Sequence, residues 1–187
     1  MSQPMISLAL LHHPVLNKTG ETIGSAVTNL DLHDISRAAR TYGVNRYYVA
    51  TPYEDQHELI GEIIDHWQTG HGARANPARR EALSLVQPVK DLETIVAELT
   101  EGHNQKIFVV ATSARYHDNE ISYGALQSKI EQKIPVLLLF GTAHGLAPEI
   151  MKQADAILPP IQADSDYNHL SVRSAVSIIL DRLLGNK

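Results

Sequence analysis

Small hydrogen-bonding side chains gather at three places late in this chain. The segment Ala163-Asp164-Ser165-Asp166-Tyr167-Asn168-His169-Leu170-Ser171-Val172-Arg173-Ser174-Ala175 runs directly into the apolar stretch Val176-Ser177-Ile178-Ile179-Leu180. Gly141-Thr142-Ala143-His144-Gly145 follows the apolar run Val136 to Phe140, and Thr112-Ser113-Ala114-Arg115 follows Ile107 to Ala111. All three offer peptide groups, hydroxyls and few charges. Glycines at 141 and 145 let the backbone turn tightly and approach a ligand closely. This chemistry suits a purine ring and a ribose better than a triphosphate, which calls for a lysine and a longer glycine loop. Neither a G-x-x-x-x-G-K-[ST] sequence nor a G-x-G-x-x-G opening a helix after the first strand is present.

The elements that must position these groups follow from apolar periodicity. Runs at Met5 to Leu11, Tyr47 to Ala50, Leu83 to Val86, Ile107 to Ala111, Val136 to Phe140 and Ala156 to Leu158 lack alternation. They suit strands covered on both faces, as in a parallel sheet. Between them, Ile35, Ala38, Ala39 and Tyr42 stripe a first helix ended by Gly43, and Leu59, Ile63, Ile64 and Trp67 a second ended by Gly70. Leu92, Ile95, Val96 and Leu99 mark a third ended by Gly102, and Ile121, Ala125, Leu126 and Ile130 a fourth. A short helix is expected after Pro148, which a first turn tolerates. Val172, Val176, Ile179 and Leu183 stripe the last. Strand and helix alternate, which predicts an α/β fold with helices on both faces of a parallel sheet. In such sheets ligands collect beyond the carboxyl ends of the strands, where the three polar segments fall.

Composition narrows the classes. The 187 residues suit one compact domain over 1–187, and an apolar fraction of 43% with 20% charged residues is that of a soluble globular protein. There is no cysteine, which excludes disulfides, thiolate metal sites and cysteine nucleophiles and is compatible with the cytoplasm. MSQPMISLALLHHP has neither a basic start nor a small-residue cleavage site, so it does not read as a signal peptide. No apolar run approaches the roughly 20 residues that cross a bilayer, so no membrane partner is expected. A net charge of −5 argues against bulk electrostatic attraction to nucleic acid and leaves room for a local basic patch.

In order and spacing, Leu137-Leu138-Leu139-Phe140-Gly141-Thr142-Ala143-His144-Gly145-Leu146, then Ala156-Ile157-Leu158-Pro159-Pro160, then His169-Leu170-Ser171-Val172-Arg173-Ser174-Ala175 resemble the SPOUT superfamily of RNA methyltransferases. Arg37-Ala38-Ala39-Arg40-Thr41-Tyr42-Gly43-Val44 is similar to that family's arginine-containing helix, so the resemblance spans most of the chain. Within the superfamily it looks like a stand-alone domain related to tRNA guanine-N1 methyltransferases. The resemblance implies a C-terminal trefoil knot, an S-adenosylmethionine site inside it, and a homodimer that completes the site. It implies RNA, either tRNA or rRNA, as substrate. It would place Ala111 and Thr112 on a first cofactor loop and Phe140, Gly141, Thr142 and Gly145 on a second. Leu158, Asn168, His169, Leu170 and Ser171 would close over the adenine, with Leu170 and Val172 locking that wall into the core. Arg37 would activate the acceptor or hold a phosphate.

The chain departs from the family pattern at points that bear on the acceptor. The usual asparagine of the last motif is Ser171 and the usual serine is Arg173. Ala143 and His144 stand where the ribose-methylating branch carries a glutamate, and Asp31 and His33 where it carries asparagine and glycine. Base and ribose acceptors therefore both stay open. Asp164 and Asp166 are candidate bases, although Asp166 also suits a turn or the start of the last helix. His144 is a candidate by location, and His169 reads as structural. Arg74, Arg79 and Arg80, in a stretch that Gly70, Gly72, Asn76 and Pro77 mark as a loop, could position phosphates or be solvated. His12, His13, His57, His66 and His71 lack the spacing of a defined ligand set, so no metal is expected. Two other readings remain: a catalytically silent S-adenosylmethionine-binding module of the same fold, and a doubly wound nucleotide-binding domain.

Overall fold

A computed structural model describes residues 4–186; the first three residues of the stretch read above for a targeting signal lie outside the described part. The chain begins with β1 (Ile6–Leu11), a hairpin of β2 (Val15–Leu16) and β3 (Thr22–Ile23), α1 (Asn29–Thr41), β4 (Arg46–Ala50) and α2 (Glu54–Gln68). It continues through α3 (His71–Ala75), α4 (Pro77–Leu83), β5 (Val86–Val89), α5 (Leu92–His103), β6 (Phe108–Thr112) and α6 (Tyr123–Glu131). It ends with β7 (Val136–Gly141), α7 (Pro148–Met151), β8 (Ala156–Leu158) and α8 (Val172–Leu184).

The main sheet runs β5-β4-β1-β7-β6-β8, and every pairing in it is parallel. Side chains alternate across it with period two, which divides the core. Ile6, Leu8, Leu10, Tyr47, Val49, Leu138 and Phe140 pack on one face with Leu32 and Ile35 of α1 and Val176, Ile179 and Leu180 of α8. Ala9, Leu11, Tyr48, Ala50, Leu137 and Leu139 pack on the other with Leu92, Ile95 and Leu99 of α5. Both faces are covered, which is why these strands read as unbroken apolar runs.

Three expectations are corrected. The strand placed at Leu83 to Val86 lies instead at Val86–Val89, because Leu83 still belongs to α4. Pro88 is tolerated there because β5 is an edge strand. The third striped helix does not stop at Gly102; it runs to His103, and Asn104 takes the left-handed turn at φ 50°. The arginine stretch is not a loop. Asn76 accepts from the Arg79 amide and Pro77 sits in the first turn of α4, so the residues that read as breakers start a helix. Its arginines also part company: the Arg79 guanidinium lies 5.0 Å over the Trp67 ring, and α4 packs on α1 where Arg40 pairs with Glu81.

Candidate functional site

β7, β6 and β8 are neighbours, so the segments that follow them emerge side by side at one end of the sheet. After β6, Thr112 turns its hydroxyl across to β7 and donates to the Leu139 carbonyl at 2.9 Å. Ser113 Oγ then accepts from the Arg115 amide at 3.0 Å and lies 3.0 Å from His117 Nε2.

After β7 the chain reverses within Gly141 to Leu146. A Cβ at Gly141 would stand 2.6 Å from the Leu146 nitrogen and 2.8 Å from the Gly145 carbonyl carbon, so only glycine permits this closure. Ala143 (φ 51°) and Gly145 (φ 104°) both take left-handed backbone. The N-terminal hairpin braces the loop from behind. His144 N donates to Leu16 O and Leu16 N to Gly145 O, each at 2.9 Å. Thr142 donates its hydroxyl to Leu11 O at 3.2 Å and meets Ser25 Oγ at 2.5 Å, and Ser25 in turn lies 3.1 Å from Nδ1 of the fully buried His12. Burial outweighs the attraction of Asp31 and lowers the His12 pKa below 6.5.

The third wall, from Pro159 to Ser171, is the least tied. Asn168 Nδ2 donates to the Ala114 carbonyl at 2.8 Å, joining this wall to the first loop. Ser171 caps α8, its Oγ accepting from the Ser174 amide at 3.2 Å. Asp166 therefore does not start the last helix; it lies in an exposed bend. Leu170 does not lock into the core as expected, but stands 45% exposed. The backbone turns it outward just before α8, and Val172 alone packs on the core.

The expected cofactor residues divide cleanly. The side chains of Ala111, Phe140 and Leu158 are buried in the core, so they support the loops from below rather than presenting groups to a ligand. The polar groups of Thr112, Thr142, Asn168 and Ser171 are engaged within the protein, and His169 stands edge-on to Tyr167 at 5.4 Å. Beyond these side chains the segments offer backbone groups, together with the exposed charges of Arg115, Asp164 and Asp166.

Arg37 lies elsewhere, in a groove between α1 and α8 that it shares with Asp34, Tyr42, Ser171, Arg173 and Ser174. Of the expected cofactor residues only Ser171 reaches this groove. Arg37 has no ion-pair partner among the described residues and is exposed, so its planar fork of donors is free for an anion. Arg173 is its opposite. It donates to Asp31 Oδ1 at 2.9 Å and lies 3.4 Å from Asp34 Oδ2, while Thr28 donates to the other Asp31 oxygen at 2.6 Å. Asp31 is only 5% exposed, so this pair fastens the first turn of α8, and with it the third wall, to α1. Sequence reasoning noted both residues as departures without pairing them; the local signal was Thr28 three residues before Asp31, a helix-start pattern. The hairpin backing Thr142 was missed altogether. No group of three or more histidine and carboxylate side chains placed to hold a metal occurs among the described residues.

A parallel α/β sheet with three loop segments gathered at the ends of adjacent late strands defines a broad class of α/β proteins that bind ligands at the strand ends, and similarity to known proteins narrows it. The chain belongs to the SAM-dependent RNA methyltransferase family, whose model matches residues 5–185. It is 45% identical over 178 residues to a tRNA (guanine-N(1)-)-methyltransferase of Oleidesulfovibrio alaskensis, covering 95% of this chain and 41% of that protein. The chain thus spans about two fifths of the length of that relative. An uncharacterized protein of Aquifex aeolicus is 40% identical, with 95% of this chain and 87% of that protein covered. The fold is that of SPOUT methyltransferases: the SpoU methyltransferase AviRb of Streptomyces viridochromogenes, solved in complex with AdoMet, superposes with a TM-score of 0.62 at 15% identity, over 98% of this chain and 58% of that one. The family's methyl donor is S-adenosylmethionine. Among the described residues no helix is long and apolar enough to cross a membrane.

Proposed function

We propose that this chain, acting as one domain, methylates tRNA or rRNA, holding S-adenosylmethionine in the crevice formed by Ala111 to Ala114, Gly141 to Leu146 and Leu158 to Ser171. When bound, that cofactor supplies a methyl group on a positively charged sulfur. Gly141 lets the loop close back on Gly145 and Leu146, and Asn168 joins the third wall to Ala114. Arg37 holds an RNA phosphate or the acceptor beside Ser171. The single observation carrying the reading is the meeting of three loop segments beyond the adjacent strands β6, β7 and β8, with Asn168 tied to Ala114 and a tight turn at Gly141 that only glycine closes. The reading extends to a C-terminal trefoil knot and to a homodimer in the cytoplasm. We assign the second copy to the face between α1 and α8, where the groove of Arg37, Tyr42 and Ile178 lies.

A second reading rests on length. Because the chain corresponds to 41% of a relative named as a guanine-N1 methyltransferase, that activity could reside in the remainder of the relative. This chain would then methylate a different position, or bind the cofactor without catalysis.

Tritiated-methyl transfer to unmodified total RNA tests the proposal, with nucleoside mass spectrometry of RNA from cells with and without the gene. The expected outcome is incorporation and the loss of one methylated nucleoside. Cofactor binding by calorimetry without incorporation would leave the silent module. Preference for a phosphorylated nucleotide over S-adenosylmethionine would leave the nucleotide-binding domain.

A further inference from the structure

The large apolar side chains that stand exposed among the described residues are Leu30, Tyr53, Leu59, Tyr116, Tyr167 and Leu170. Tyr116, Tyr167 and Leu170 sit on the two crevice segments that Asn168 joins through Ala114. Tyr116 is 70% exposed and Tyr167 69%. Neither is loose. The Tyr116 hydroxyl donates to Gln162 Oε1 at 2.6 Å, which anchors the rim of the first loop to the third wall. Tyr167 is set by its amide donating to Ser165 Oγ at 3.2 Å and by His169 edge-on against its ring. Each ring is thus oriented by polar contacts at its edge or backbone while most of its surface stays open to water.

Two flat rings held open at the mouth of a crevice are costly as surface and well suited to stacking. We propose that Tyr116 and Tyr167 form a stacking platform for single-stranded nucleobases beside the nucleotide being methylated. The proposal rests on the RNA methyltransferase reading above and adds how the substrate is gripped. Every base has a π face, so such a platform accepts any sequence and favours unpaired loops, where bases can be splayed outward. Charge supports the same occupant. A net charge of −5 gives the chain no bulk attraction to RNA, so stacking would add to the phosphate contacts that local arginines make. Arg115, next to Tyr116 and exposed, gives the patch one local phosphate contact.

The test uses the full chain and a single-stranded RNA oligonucleotide carrying 2-aminopurine, whose fluorescence falls on stacking. Wild type is expected to quench it. Tyr116→Ala and Tyr167→Ala should each lower RNA affinity by about 5- to 150-fold, the range of one base–aromatic stack. Phenylalanine at either position should restore most of the affinity, because it keeps the ring. The slope of affinity against salt should not change, since no phosphate contact is lost. Circular dichroism and thermal melts matching wild type show that the variants fold. Alanine variants that bind and quench like wild type would overturn the proposal. So would a change in their oligomeric state by ultracentrifugation, which would give the patch to a second copy. Wild type that binds cofactor but no RNA would end the RNA reading and this proposal together, whereas wild-type binding unaffected by the tyrosines ends this proposal alone.

Discussion

The loop from Gly141 to Leu146 and the segment from Pro159 to Ser171 follow the two strands that flank β6 and are built in opposite ways. The first is short, left-handed at two residues, and hydrogen-bonded along its back to Leu11, Leu16 and Ser25. The second is long and largely exposed, and it is joined to the facing loop through Asn168 and Tyr116 and to α1 through Arg173. A wall fixed before the ligand arrives loses little freedom on binding, while a wall that must order itself gives up affinity. In the proposed site the braced loop is the fixed part and the exposed segment the part that can adjust to a bulky substrate.

The sharpest way to break this contrast is Gly141→Ala. The new methyl would collide with backbone at Leu146 and Gly145, which has no rotamer to escape into. We expect loss of measurable S-adenosylmethionine binding by calorimetry and a stability loss of about 1–3 kcal/mol in urea melts. A variant that binds normally would show that the cradle is not formed by this turn. The next effect belongs to the other wall. Arg173→Ala leaves Asp31 buried with Thr28 as its remaining side-chain hydrogen-bond partner. A buried pair broken on one side costs about 3–5 kcal/mol, and Arg173 is partly exposed, so we expect about 1–3 kcal/mol. Asp31→Asn with Arg173→Met should recover most of it, since both charges are then gone. Faster cofactor release with unchanged association would place the defect in the third wall; identical losses in the single and double variants would refute the pairing.

The fold was legible to different depths for reasons that can be named. Strands buried on both faces declare themselves as apolar runs, and Gly43 ends α1 with φ 72° as the pattern implied. The β2–β3 hairpin has strands of two residues each, too short for periodicity, and it is held by bonds to His144, Gly145 and Ala147 far along the chain. Asn76 and Pro77 punctuate a loop or open a helix equally well, and only the packing of α4 on α1 decides. Asp31 and Arg173 are 142 residues apart, so no local pattern could join them. The sequence singled out three polar segments, and they do follow the neighbouring strands β6, β7 and β8. It could not tell that Phe140 and Leu158 face the core, or that Leu170 faces water, because burial beside a ligand site depends on backbone direction rather than residue type.

The smallest expected effect sharpens the comparison through pH. His12 sits behind the rigid loop, linked through Ser25 to Thr142, and its Nε2 is buried without a partner. Because burial holds its folded pKa below 6.5, the unfolded chain takes up a proton first as pH falls. Stability should be flat above about pH 6.5 and decline below it until the folded pKa is reached. His33, whose pKa is lowered by burial and then by Arg79, adds a slope of the same sign from the far side of α1. Thermal melts between about pH 7.5 and 5.5 should therefore show a decline that His12→Asn reduces and that a further His33→Asn reduces again. Cofactor affinity should weaken with acid in wild type and less so in the His12 variant, since His12 is linked through Ser25 to Thr142 on the rigid wall and His33 is not. An acid slope in affinity that His12→Asn leaves unchanged would move the pH sensitivity to the exposed rim, and the division between a fixed wall and an adaptable one would then have to be drawn elsewhere.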